Sequence, residues 1–227
     1  MLRLVCALAL LQLAPGTTLR RTPPGERDVT KAITRSAGHA HNYRNVGLTR
    51  AAEPGARIVA QPLPRLPSRR FALSIELGHG RCVYDRAVCA LRELRMHHLS
   101  PSRGIATLVT RPRPRLLAGA GLVTWARSST GLYALNACRI VYDEQTKCST
   151  TVAYGTLVGH WIAGEEAMAV RIDRDGLVTF SLLSISRGSG FGVILFPFLF
   201  SMQRGFFVEQ LTVMRRLARH GHSGRRR

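Results

Sequence analysis

The chain has 227 residues, a formal net charge of +20 at pH 7, and 33 basic side chains, of which only Lys31 and Lys147 are lysine. A chain of this length buries enough apolar surface to fold as one domain, which excludes a small fold that depends on metal or disulfide staples. The charge would suit a polyanion, but it is spread along the chain and no nucleic-acid-binding motif accompanies it. We therefore do not expect nucleic acid as the partner, and codon bias is an alternative source of the Arg excess.

The first 40 residues have the composition of a targeting leader. Residues 1–16 combine a short basic start with an apolar run of signal-peptide length, far below the ~20 residues of a membrane-spanning helix. Residues 17–40 are rich in Arg, Ser and Thr and poor in acid, which is typical of a transit peptide or a disordered leader. We expect entry into the secretory pathway, followed by secretion or delivery to a complex plastid. A mitochondrial presequence and a wrongly assigned start codon are the alternatives.

The following segment alternates between strand and helix patterns. Residues 41–49 and 70–77 predict strands, and residues 82–96 carry apolar side chains at helical spacing. Further short strands are predicted at 105–110, 121–126, 135–142, 149–154, 167–172 and 177–183. The Asp-Gly pair at 175–176 predicts a tight turn between the last two, because it supplies the positive φ that such a turn needs.

Residues 186–219 are predicted to close the domain as one long helix. Apolar residues fill positions 191–200 and recur near helical spacing beyond them, so we expect Phe206 and its neighbours to face the sheet. Pro197 should kink this helix or mark a late start. Residues 220–227 form a basic tail that we expect to be disordered.

This order of elements predicts an α+β fold in which a curved antiparallel sheet packs around a long C-terminal helix. The arrangement is similar to the helix-grip fold of the START and Bet v 1 proteins, which hold hydrophobic ligands between sheet and helix. That similarity lies in the order of the elements.

Five cysteines are present, and none of them forms the Cys-x-x-Cys pair typical of a zinc site. Cys138 and Cys148 flank a predicted hairpin turn, where a disulfide is the alternative to two free thiols. We expect neither a metal site nor a cofactor.

The most informative motifs lie between residues 136 and 170. They are Arg139 in a strand, Tyr154-Gly155-Thr156, Gly159-His160 and Gly164-Glu165-Glu166. With a Tyr-x-x-Val-Gly-x-Thr pattern that begins at Tyr43, their spacing resembles the DUF1990 (UPF0548) family, uncharacterised proteins of bacteria and plants. The resemblance covers about 43–217 and defines a domain at 41–219. It departs from the family at Leu94, where Trp is usual, and at Gly188, where Pro is usual.

The residues with the most chemical potential are Tyr154, Thr156, His160, Glu165 and Glu166. A His with carboxylates could form an acid–base pair or hold a divalent metal. Adjacent residues of a regular strand point to opposite faces, so at most one Glu should face an interior and the other should be a surface charge or an Arg139 partner. Because no nucleophile–base–orienter set accompanies them, a glycine-shaped hairpin in which His160 bonds to backbone groups is favoured over catalysis.

Arg139 lies within an otherwise apolar strand, and a buried Arg normally needs a carboxylate. Glu165 or Glu166 is the natural candidate. Such a pair could lock the structure or bind an acidic group of a ligand.

Three functions are compatible with these patterns. The first is a non-enzymatic binding module for a hydrophobic or amphipathic small molecule, with a ligand site formed by Arg139, Tyr154, Thr156, His160 and Glu165. The second is an organelle-envelope protein that makes peripheral membrane contact or forms a pore. The third is an enzyme that uses His160 with Glu165 or Glu166, the only candidates for catalytic residues.

Overall fold

The structure, a computed structural model, describes residues 17–50, 68–97, 108–110, 117–127, 131–190 and 192–220. The strands are β1 (Thr17–Arg20), β2 (Arg69–His79), β3 (Leu108–Thr110), β4 (Gly121–Arg127), β5 (Tyr133–Gln145), β6 (Ser149–Thr156), β7 (Ile162–Ile172) and β8 (Leu177–Gly188). The helices are α1 (Glu26–Ser36), α2 (Arg81–Arg92), a 3-10 turn (Arg95–His97) and α3 (Gly192–His220). The predicted signal peptide at 1–16 and the basic tail beyond residue 220 lie outside the described residues.

All strand pairs are antiparallel, and the sheet runs in the order β2-β8-β7-β6-β5-β4-β3, with β1 paired to β5. From β4 to β8, each strand pairs with the strand that precedes it in the sequence. Strand β2 instead pairs with the last strand. The predicted α+β fold, a large curved antiparallel sheet with a long C-terminal helix, is confirmed.

The main core lies between the sheet and the helices α2 and α3, on what we call the inner face. Alternate residues of the central strands supply it, such as Met168 and Phe180, and α3 supplies Phe207 and Met214. These four side chains are at most 1% exposed. Burying such a side chain contributes ~1.5–3 kcal/mol, so the inner face holds α3 in place.

Helix α3 starts later than predicted, at Gly192, and continues through Pro197 to His220. Pro197 lies near the start of the helix and does not mark its first residue, since the helix begins five positions earlier. Phe206, which was predicted to face the sheet, is 8% exposed and belongs to the main core. No described helix is both long enough and apolar enough to cross a bilayer.

The outer face of the sheet is covered in part by the segment that was predicted to be a transit-like or disordered leader. Residues 17–20 form β1, and Val29 of α1 is completely buried against Val123 and Leu135. The expectation of disorder over 17–40 is therefore wrong for these elements, because the apolar side of α1 packs against apolar residues of β4 and β5. The four described cysteines, Cys138 and Cys148 among them, are free thiols.

Candidate functional site

Glu165 and Glu166 point to opposite faces of β7, as strand alternation requires. Glu166 shares the inner face with Met168 and Val170, whereas Glu165 shares the outer face with Ala167. Both carboxylates are nevertheless buried, with 2% of Glu165 and 8% of Glu166 exposed. The prediction that one of them would be a surface charge is wrong, because each face of the strand is covered by another part of the chain.

Glu165 is covered by the segment from His41 to Arg50, which forms turns and one isolated bridge rather than the predicted strand. Its Oε2 atom accepts hydrogen bonds from the Tyr43 hydroxyl at 2.9 Å and from the Gly47 amide at 2.7 Å. Its Oε1 atom accepts from the Thr49 amide at 3.1 Å and from the Thr49 hydroxyl. We call Tyr43, Gly47, Thr49 and Glu165 the carboxylate clasp.

The clasp explains the Tyr-x-x-Val-Gly-x-Thr pattern. Tyr43 and Thr49 are the two side-chain donors, and Gly47 has a φ of +88°, a left-handed conformation that favours glycine and turns its amide toward the carboxylate. The Thr49 hydroxyl also lies 2.9 Å from the Tyr142 hydroxyl, which connects the clasp to β5. The pattern thus encodes a binding loop for one internal carboxylate.

Gly155, on the neighbouring strand β6, makes room for the Tyr43 side chain of the clasp. It pairs with Glu165 across β6 and β7, and a Cβ atom at this position would lie 2.0 Å from the Tyr43 hydroxyl oxygen. Only glycine leaves room for the phenol to reach the carboxylate. The Tyr-Gly-Thr motif is therefore a packing requirement of the clasp.

Arg139 lies in the same row of the outer face, because it pairs with Gly155, which in turn pairs with Glu165. Its guanidinium does not bond to either Glu. It donates instead to the carbonyl oxygens of Ser36 and Ala37, at 3.3 and 2.7 Å, where it caps the C-terminal end of α1. The predicted Arg–Glu pair is wrong, because the Tyr43 phenol occupies the intervening position above Gly155.

Thr156 and His160 organise the turn between β6 and β7. The Thr156 hydroxyl accepts from the Gly164 amide at 2.9 Å and lies 2.6 Å from Asn42 Oδ1. His160 Nδ1 accepts from the Ile162 amide at 2.9 Å. Burial lowers the pKa of His160 to about 4, so the ring is neutral at pH 7 and can serve as this acceptor. The predicted role of His160 as a partner of backbone groups agrees with this geometry.

The structure keeps the three predicted catalytic candidates apart. Within the described ranges, no hydrogen bond joins His160 to Glu165 or Glu166, and no group of three His, Cys, Asp or Glu side chains could hold a metal ion. The oxygens of Glu165 are occupied by the clasp. His160 and Glu165 therefore act on the protein's own backbone and loop.

A second set of polar side chains lies inside the main core. Glu166 of β7 lies near Tyr154 of β6 and Gln210 of α3, and the His97 ring meets the Tyr154 ring edge-on at a centroid distance of 5.9 Å. Gln210 and His97 are completely buried. We call Tyr154, Glu166, Gln210 and His97 the inner polar cluster. Of the five residues predicted to bind a ligand, only Tyr154 belongs to it.

Burial dominates the electrostatics of this cluster. It raises the pKa of Glu166 to about 7, although the nearby Tyr154 and Gln210 side chains favour the ionised form. Burial, and then the charge of Glu166, raises the pKa of Tyr154 well above its ordinary value and also raises that of Cys138. Neither side chain is thus an activated nucleophile, whereas the Glu166 carboxyl can gain or lose a proton near neutrality.

Hydrogen bonding in the cluster is incomplete. Within the described part of the chain, Glu166 Oε1 and both amide atoms of Gln210 have no partner of normal hydrogen-bond geometry. Gln210 is therefore close enough to influence the charge of Glu166 without forming a regular bond to it. Sequence reasoning missed Gln210, although a polar residue seven positions after Gln203 on an otherwise apolar helix face was a usable signal.

Comparison with known proteins gives the family. The family model described as "Domain of unknown function (DUF1990)" matches residues 42–213. A UPF0548 protein of Deinococcus radiodurans is 29% identical over 171 residues, which cover 74% of this chain and 81% of that protein.

Solved structures overlap with this one only partly. A hypothetical protein from Helicobacter pylori has 9% identity and a TM-score of 0.44, over 68% of this chain and 98% of that chain. A protein from Mycobacterium smegmatis has 10% identity and a TM-score of 0.45, over 67% and 92%. These similarities are too low to assign a ligand or an activity. The family match, in contrast, includes the clasp segment, every strand from β2 to β8 and most of α3, so the chain belongs to the DUF1990 family.

Proposed function

We propose that the protein is a non-enzymatic binding module that holds a hydrophobic or amphipathic small molecule between the inner face of the sheet and α3. The observation that carries the proposal is the inner polar cluster, a few convergent polar groups in an otherwise apolar layer. Sites for small molecules have this composition: apolar walls supply affinity and a small number of polar atoms set the orientation.

The free-energy cost of the cluster supports the same conclusion. A buried polar atom without a hydrogen-bond partner costs about 1–3 kcal/mol. Glu166 and Gln210 could be replaced by apolar side chains of similar size, as Met168 and Phe207 show elsewhere in the same layer. A polar pair that is this costly to bury is better explained by a ligand that it contacts than by stability.

Methyl NMR on the full chain tests the proposal. Met168 and Ala167 are adjacent in β7 but face opposite sides of the sheet. With methyl-labelled Met and Ala, and decanol as the probe, we expect saturable shifts at Met168 and at Met214 of α3, with Ala167 as the internal control. Binding at the inner face would be contradicted if the Met168 methyl signal shifted no more than the Ala167 control at saturation. It would also be contradicted if neither signal showed a saturable shift.

A second candidate function, peripheral contact with an organelle membrane, is favoured by one observation. Val193 and Ile194, at the start of α3, are 59% and 77% exposed. They lie beside the turn before β7, since a Cβ on Gly192 would be 1.8 Å from the Trp161 carbonyl oxygen, and Val158 in that turn is 45% exposed. The net charge of +20 would attract anionic headgroups to such an apolar edge.

Vesicle sedimentation tests this second candidate. We expect the full chain to sediment with anionic vesicles more than with neutral ones, and a Val193→Ser, Ile194→Ser double variant to lose this binding. Val208→Ser is the matched control, because Val208 is 50% exposed further along the same helix. Equal loss in the control variant, or no sedimentation of the wild type, would reject a membrane role for the helix start.

A further inference from the structure

We propose that the molecule held at the inner polar cluster is an amphipathic amine, whose ammonium group binds Glu166 and Gln210 and whose apolar body packs under α3. This inference rests on the function proposed above and names the class of ligand for the same site.

The first argument is the set of acceptors that the cluster offers. Glu166 Oε1 and Gln210 Oε1 are both buried and both lack a hydrogen-bond partner among the described residues. An ammonium group has three N–H donors and no acceptor. It can therefore bond to the carboxylate and to the amide oxygen at once, and the Tyr154 phenol beside Glu166 can accept a third bond. A hydroxyl group has a single proton, so it can donate to only one of these two oxygens, while its own oxygen can accept from Gln210 Nε2, which also lacks a partner among the described residues.

The second argument is charge. The sequence has 33 basic and 13 acidic residues, so basic partners are abundant. Acidic residues that form ion pairs in the described ranges include Asp28, Asp85, Glu93, Asp143 and Glu144. Glu166 is absent from these pairs, and no basic side chain is among the groups that shift its pKa. A buried carboxylate is ordinarily paired with a cation, and here the ligand would supply it.

The third argument is that the groups around Glu166 would tolerate a cation. The polar side chains that face it are Tyr154 on β6, Cys138 on β5, Ser184 opposite it on β8, Gln210 on α3 and, beyond Tyr154, His97 in the 3-10 turn. Burial keeps the phenol and the thiol protonated at pH 7, since it raises the pKa of each. Helix α2 contributes apolar side chains and the Tyr84 hydroxyl, which is bonded to Thr150. Arg and Lys side chains, which would repel an ammonium group, are missing from this set.

The test is calorimetric titration of the full chain with decylamine, decanol and decanoate, three probes of equal chain length, at pH 6 and pH 8. We expect decylamine to bind more tightly than decanol at pH 8. Its affinity should rise about tenfold from pH 6 to pH 8, because Glu166, whose pKa is raised to about 7, ionises over this interval while the amine stays protonated. Decanol should show no such rise.

Glu166→Gln keeps the side-chain shape and removes the charge. It should weaken decylamine binding at pH 8 by about 30-fold or more and weaken decanol binding much less, because only the ammonium loses a charged partner. Glu76→Gln, at an exposed position of the edge strand β2, is the control and should bind both probes as the wild type does. If Glu166→Gln failed to fold, the change in decylamine affinity of the wild type between pH 6 and pH 8 would still test the proposal.

The outcomes separate the inference from the proposed function. If decylamine and decanol bind equally at both pH values, or if decanoate binds most tightly, the amine is the wrong ligand class while the binding module stands. If none of the three probes binds, the proposed function itself fails and the inference fails with it.

Discussion

Replacing Glu165 by Gln tests the carboxylate clasp with the smallest possible change in shape. The carboxylate receives two donors on each oxygen: the Tyr43 hydroxyl and Gly47 amide on Oε2, and the Thr49 amide and hydroxyl on Oε1. A Gln side chain has one oxygen and one NH₂ group. In either orientation, the NH₂ group therefore faces one hydroxyl and one backbone N–H.

The loss of stability expected for Glu165→Gln follows from the nature of these donors. A hydroxyl can rotate and accept a hydrogen bond from the new NH₂ group, but a backbone N–H cannot. At least one of Gly47 or Thr49 therefore loses its acceptor, at about 1–3 kcal/mol, and the remaining bonds lose their charge assistance. We expect the free energy of unfolding to fall by about 2–4 kcal/mol. The loss cannot exceed the free energy that holds the segment 41–50 on the sheet, because beyond that point the segment would detach.

The assay is thermal unfolding together with amide hydrogen exchange. A loss of 2 kcal/mol should lower Tm by about 4–8 °C in a domain of this size. Exchange at Gly47 and Thr49 should accelerate before global unfolding, and Glu76→Gln should change neither quantity. An unchanged Tm together with unchanged exchange at these two amides would refute the clasp as a source of stability.

Gly155→Ala should release the clasp from the other side, because the new methyl group would lie 2.0 Å from the Tyr43 hydroxyl oxygen, and faster exchange at Gly47 would report it. Phe206→Ala should cost ~3–5 kcal/mol in chemical denaturation because Phe206 is core, whereas His160→Ala should leave the protein folded; a silent Phe206→Ala would mean that α3 does not anchor the core. The pKa of Glu166 is raised from 4.5 to about 7 on folding, so the folded state binds more protons between these values. The stabilisation that protonated Glu166 contributes is fully present below pH 4.5, and about 3 kcal/mol of it is lost as the pH rises through 7. The Tm of the wild type should therefore fall from pH 5 to pH 8, and Glu166→Gln should reduce this fall. Removal of residues 17–40 should destabilise the domain by exposing Val123 and Leu135, which Val29 covers; an unchanged Tm would contradict this role for α1.

The sequence determined those features that depend on a short repeat. Strand alternation placed Glu165 and Glu166 on opposite faces of β7, and helical spacing placed Phe206 on the buried side of α3. The family motifs were also visible, since the Tyr43 pattern and Gly155 are contiguous signals. The α+β fold follows from the order of these elements.

Tertiary structure alone decided which groups meet. Tyr43 reaches Glu165 across 122 positions, and Arg139 reaches the end of α1 across 102, distances over which no local period carries information. The structure likewise brought Gln210 to Glu166 and packed α1 on a sheet that the composition of 17–40 did not suggest. Burial explains these differences: an ion or amide that is removed from water takes whichever partner the surrounding surfaces leave available, and those surfaces exist only once the chain has folded.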